Sequence, residues 1–255
     1  MASPLVVSKA LLVAAWLVWS ACLPLTVTAG SLRVGPTRLE LSVRRPVVVL
    51  EVQNTSDAAM LAQLDAFAWQ QSGAGDLLEA TADVIATPTV MNLAPGETRI
   101  VRVGLRNANV ADSERSYRLF VREVPPMEDV AVGAPLRFAV RIGVPVFAVP
   151  ADWRTADAGE IDWRWIPDIQ GCAGVQVFNP SRRHERVLGA EMSSATGEVL
   201  WRSSEPVYVL ARSRRLVPPL LCAPSIKEVR VLRLTLESGT LTLPVEAPAL
   251  VVDAH

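Results

Sequence analysis

Histidine and lysine are nearly missing from this sequence: His184 and His255 are its two histidines, and beyond residue 30 its single lysine is Lys227. A nucleophile activated by a neighbouring base needs an imidazole or an equivalent beside it. His255 is the terminal residue, and His184 stands in Ser181-Arg182-Arg183-His184-Glu185-Arg186, which reads as a solvated turn. The chain also lacks a Gly-rich phosphate loop, a G-x-S-x-G elbow and a His-Glu-x-x-His pair. Nothing points to a pair of glycosidase carboxylates either. The expectation is a protein that is not an enzyme and uses no cofactor.

Charge of one sign is lacking as well. The net charge of −1 gives no electrostatic ground for binding nucleic acid or an anionic membrane. Cysteine is scarce, at Cys22, Cys172 and Cys222, and their spacing fits no zinc pattern, so no metal site is expected. Long apolar runs are confined to the first thirty residues. There Lys9 precedes Ala10–Trp19, followed by small and polar residues up to Val27-Thr28-Ala29, the pattern of a secretory signal peptide over residues 1–29. An uncleaved anchor is the alternative, but Ser20 interrupts the run before the ~20 residues that a span needs. Trp19 disfavours a lipid-modified Cys22. After cleavage no membrane insertion is expected. Cys172 and Cys222 then remain, either as a disulfide suited to an oxidising compartment or as two buried thiols.

What is abundant is the punctuation of an all-β protein: short Val-, Leu- and Ile-rich runs separated by Pro, Gly, Asn and Asp. Seven strands are predicted in the first part, at Arg38–Val43, Val47–Gln53, Ala59–Trp69, Ile85–Thr89, Glu97–Leu105, Ser116–Val124 and Leu136–Phe147. Their number and spacing match an immunoglobulin-like sandwich. A break near Val149-Pro150-Ala151-Asp152 precedes about 20 less regular residues and a second, smaller set of strands. The fold expected is two tandem immunoglobulin-like β-sandwiches, residues 30–150 and 151–255. In Leu93-Ala94-Pro95-Gly96-Glu97, the Pro-Gly pair predicts a type II turn.

The Arg-rich groups Arg44-Arg45, Arg182-Arg183 and Arg212–Arg215 read as solvated loop ends. Leu136–Phe147 is more informative. Its apolar face of Leu136, Phe138, Val140, Ile142 and Val144 is followed by Pro145, and proline confines a strand to a sheet edge or a bulge. Such a strand either lines its own core or pairs with a partner.

In order, Pro36-Thr37-Arg38, Val52-Gln53-Asn54, Ile85–Val90, Leu93-Ala94-Pro95-Gly96, Tyr117–Pro126, Leu136–Pro150 and Gly174–Pro180 resemble the periplasmic pilus-assembly chaperones, the PapD-like family. The match covers nearly all of the first domain and the second more loosely. The resemblance implies a boomerang of two Ig-like domains that caps pilus or fimbrial subunits in the periplasm and hands them to an outer-membrane usher. It makes Leu136, Phe138, Val140 and Ile142 part of a donated strand, and makes Arg38 the cleft arginine that anchors the subunit's C-terminal carboxylate. The family's second cleft cation is a lysine, where this chain has Pro145; Arg141, one pair-step earlier, is the candidate substitute. The rival reading is an Ig-like fibre subunit or adhesin. A subunit should carry a short N-terminal donor arm, whereas Gly30–Val34 leads almost at once into the first strand.

Overall fold

The computed structural model describes residues 32–73, 75–107, 112–125, 139–152, 161–167, 172–222 and 228–245. The predicted signal segment, Leu136, Phe138 and Lys227 lie outside the described residues.

The first sandwich is built from β1 (Leu32–Gly35), β2 (Leu39–Leu41), β3 (Val47–Asn54), β4 (Met60–Ser72), β5 (Gly75–Ala80), β6 (Val84–Thr87), β7 (Val90–Leu93), β8 (Thr98–Leu105), β9 (Arg115–Val124) and β10 (Arg141–Ala148). One sheet has the order β1-β3-β8-β6; the other runs β2-β10-β9-β4-β5, with β7 also paired to β4. Alternation decides which side chains enter the space between them. Leu50 and Val52 of β3, Val101 and Val103 of β8, Leu119 and Val121 of β9, and Val144 and Val146 of β10 are all buried in one cluster. The predicted turn forms with Gly96 at φ +72, and the Glu97 N–H donates to the Ala94 carbonyl at 3.0 Å.

The second sandwich comprises β11 (Asp162–Pro167), β12 (Cys172–Asn179), β13 (Glu185–Ser193), β14 (Val199–Ser203), β15 (Val207–Val209), β16 (Ser213–Cys222), β17 (Val231–Leu236) and β18 (Gly239–Pro244). Its sheets are β11-β12-β16 and β14-β13-β17-β18, with β15 paired to β13. Val175, Val177, Val187, Met192, Leu232 and Leu234 form its core.

An internal correspondence invisible in the letter pattern emerges at two strand ends. Asn54 closes β3 and Asn179 closes β12, each is buried, and each is followed two residues later by a serine. The Asn54 amide donates to the carbonyls of Ala58, Leu93 and Ala94 at 2.7 to 3.1 Å, while its Oδ1 accepts from the Ser56 N–H. The Asn179 amide donates to Arg183, Val209 and Leu210 at 2.8 to 3.2 Å, and its Oδ1 accepts from the Ser181 N–H. One buried side chain thus satisfies three loop carbonyls in each domain.

Candidate cleft for a partner strand and its carboxylate

β10 has one edge paired with β9 along its whole length, from Arg141↔Arg122 to Ala148↔Arg115. Its other edge is covered by β2 only at Val146, Phe147 and Ala148, in parallel register with Leu39, Glu40 and Leu41. Among the described residues, nothing pairs with that edge from Arg141 to Pro145. Pro145 is therefore the last residue before β2 begins. Val140 and Ile142 are half-buried at the margin of the first core.

Parity sends Val144, Val146 and Ala148 into the sandwich and turns Arg141, Gly143, Pro145 and Phe147 to its outer face. That face meets the second domain. Phe147 is fully buried there, stacked on His184 at 3.7 Å and close to Trp69, Tyr208 and Leu210. His184 is 3% exposed, and its Nδ1 lies 2.8 Å from a fully buried Glu114 carboxylate. The solvated turn expected around His184 is thus corrected: the second domain presses this segment onto the first. Arg44 and Arg45 are exposed as expected, but the other two arginine groups also hold the domains together. Arg183 pairs with Glu40 at 2.6 Å, Arg212 with Asp112 at 2.7 Å and Arg215 with Asp76 at 2.6 Å, each joining one domain to the other.

Arg38 lies beside this cleft. Its Nη1 donates to both carboxylate oxygens of Glu237, at 3.0 and 2.7 Å, and its Nε is 3.6 Å from Glu40. The hydrogen bond raises the Arg38 pKa and holds the Glu237 carboxyl below the usual carboxylate range, so the pair is fully charged at neutral pH. Arg141 does not join it. Its guanidinium lies 3.7 Å over the Phe120 ring, four residues before Pro145 and so about 13 Å back along the strand.

A cation that the sequence pattern left unmarked does reach Pro145. Arg118 of β9 is its direct cross-strand partner, and it faces the cleft 3.8 Å above Trp69. Burial lowers its pKa. Among the described residues no carboxylate comes within ion-pair distance of it; the nearby Asp76 is taken by Arg215. A partly buried guanidinium whose nearest carboxylate is already paired with another arginine favours an incoming anion. Because β2 follows Arg38 at Leu39 in register with Val146, Arg38 and Arg118 flank Pro145 from opposite sides.

Residues 31–154 match the family model described as pili and flagellar-assembly chaperone, PapD N-terminal domain. The first domain is a PapD-like chaperone N-terminal domain. The fold of the whole agrees. A chain of the chaperone and tip-adhesion-subunit complex of the archaic Csu pili of Acinetobacter baumannii superimposes with a TM-score of 0.61 at 20% identity, over 84% of this chain and 97% of that one. The CupB2 chaperone of Pseudomonas aeruginosa gives 0.56 at 20% identity, covering 84% and 100%. A chain of the Salmonella enterica complex of SafA pilin with the SafB chaperone gives 0.57 at 14%, covering 84% and 96%. No curated protein matches the sequence. The chain thus shares the two-sandwich architecture of these pilus chaperones, and among the described residues β10 is open along part of one edge.

Proposed function

We propose that this protein is a periplasmic chaperone that caps immature pilus subunits with β10 and its N-terminal extension, then delivers them to an outer-membrane usher. The observation that carries the reading is the open edge of β10 from Arg141 to Pro145, closed from Val146 onward by β2. A strand added to that edge must stop at Pro145, because β2 occupies the same track beyond it. Two arginines await its end, so the end that fits is a C-terminal carboxylate rather than an ammonium. That polarity makes the added strand parallel to β10, as β2 is. Ladder hydrogen bonds supply affinity for any subunit, and Leu136, Phe138, Val140 and Ile142 fill its groove.

Arg118 takes the role for which Arg141 was the candidate: it stands across from Pro145, where the resemblance places the family's lysine. Arg38 keeps its role as the cleft arginine, and Arg118 is the second cation. Arg141, fixed on Phe120, supports the strand. Co-purification from periplasm tests this. Phe138→Glu, Arg118→Ala and Arg38→Ala should each lose the small secreted protein bound by wild type, the arginine variants by about thirtyfold or more in affinity. Folded variants that retain the same partner would sink the donated-strand reading.

We also infer that Cys172 and Cys222 form a disulfide, since they are opposite residues on β12 and β16. Opposite antiparallel Cα atoms lie about 4.5–5.5 Å apart, within the range a disulfide spans. Closing about 50 residues would add roughly 4 kcal/mol on the chain-entropy model, so reduction should lower the denaturant midpoint in wild type and leave Cys172→Ser unmoved. An identical midpoint with and without reductant in wild type would exclude the bond.

A further inference from the structure

Resting on the carboxylate clamp above, we propose that Glu237 is a built-in competitor that occupies Arg38 in the empty chaperone and is displaced by the subunit's C-terminal carboxylate. Glu237 sits in the turn between β17 and β18, and its backbone N–H donates to the Arg186 carbonyl at 2.8 Å, which holds the turn against β13. Both oxygens of its carboxylate accept from Nη1 of Arg38. Among the described residues, the other ion pairs between the domains follow one polarity, with the acid on the first domain and the cation on the second: Glu40 and Glu114 with Arg183, Asp76 with Arg215, and Asp112 with Arg212. Arg38 and Glu237 alone among these reverse it.

The reversal matters because the remaining pairs still join the domains when Glu237 lets go. Arg38 and Glu237 are also 31% and 42% exposed, so water reaches the pair and exchange of one carboxylate for another is cheap. The competitor therefore sets a threshold. An isolated carboxylate must outcompete one that is tethered at high effective concentration, whereas a carboxylate carried by a paired strand gains affinity from the ladder as well. Glu237 selects for chain ends that belong to a subunit already zipped onto β10.

The test titrates N-acetyl-dialanine and its C-terminal amide into the full-length protein labelled with 15N-arginine, reading the arginine Nε–H resonances. Glu237→Gln keeps the size of the side chain and removes its charge. It should bind the carboxylate about two- to fivefold more tightly than wild type, the range expected for a partly exposed ion pair, with the amide unaffected. Arg38→Ala should abolish that gain. If Glu237→Gln binds no more tightly while Arg38→Ala and Arg118→Ala bind more weakly, the competitor is overturned and the clamp stands. If neither arginine variant changes carboxylate binding, the clamp itself is wrong. A matching melting temperature for Glu237→Gln and wild type separates these results from misfolding, and the expected gain is a change that misfolding does not produce.

Discussion

Truncating Phe147 to alanine should cost about 3–5 kcal/mol of unfolding free energy and let the second domain come away from the first. Phe147 is on the outer face of β10, where an isolated sandwich would leave it wet, yet it is fully buried. The second domain buries it. His184 stacks on one side at 3.7 Å, Tyr208 lies at 5.5 Å and Trp69 at 6.1 Å between ring centres, and Leu210 completes the cluster. Around this apolar patch Gln71 bridges the domains with both ends of its amide, donating to the Tyr208 carbonyl at 2.8 Å and accepting from the Leu210 N–H at 2.9 Å. Removing the ring leaves a cavity bounded by both domains, and the buried pair of Glu114 and His184 loses its cover. Denaturant unfolding should change from one transition to two, and X-ray scattering should report a larger radius of gyration. Val49→Ala, at an exposed site on the outer face of β3, should stay within about 0.5 kcal/mol of wild type. Equal stability of the two variants would mean that the junction does not depend on Phe147.

The first sandwich was legible wherever one face of a strand is buried and the other wet. β3, β8 and β9 fall close to their predicted ranges for that reason. β5 escaped because five of its six residues are exposed, so no alternation marks it. β1 is only four residues long, and β7 was missed, because the strand predicted at Ile85–Thr89 ends before it and the bend at Pro88 and Thr89 separates β7 from β6. β11 hides among tryptophans and polar residues that suggested irregular chain. The cleft was half legible. Pro145 announced an edge, and Arg38 is beside it. Arg118 was not singled out, because Arg118, Phe120 and Arg122 alternate with buried Tyr117, Leu119 and Val121 as on any wet face. Only the register of β9 against β10 distinguishes it, and the sixteen residues that separate those strands in the sequence leave that register unfixed in the letters. Glu40, His184 and Glu237 come from three distant segments, which local pattern cannot bring together.

The second large effect should come from Asn179. Its amide has two N–H groups and serves three buried or half-buried carbonyls, those of Arg183, Val209 and Leu210. Asn179→Ala should cost about 2–4 kcal/mol, since each acceptor left dry loses part of its hydration without replacement. Asn179→Asp preserves shape but turns a carboxylate oxygen toward those carbonyls, so it should cost more than alanine despite being the more conservative change. Functionally the site reaches further than its own domain. The Arg183 carbonyl fixes the segment whose side chains, Arg183 and His184, pair with Glu40 and Glu114 of the first domain. Asn54→Ala should cost a similar amount, because Asn54 closes Ala58, Leu93 and Ala94 in the same manner, but it should leave that segment in place. Urea unfolding ranks the three variants, and the arginine Nε–H spectrum locates the damage. Asn179→Ala should shift the Arg183 resonance, while Asn54→Ala should not. An Asn179→Asp variant more stable than Asn179→Ala would show that the amide does not point at the carbonyls, and the coupling between this buried asparagine and the cleft would fall with it.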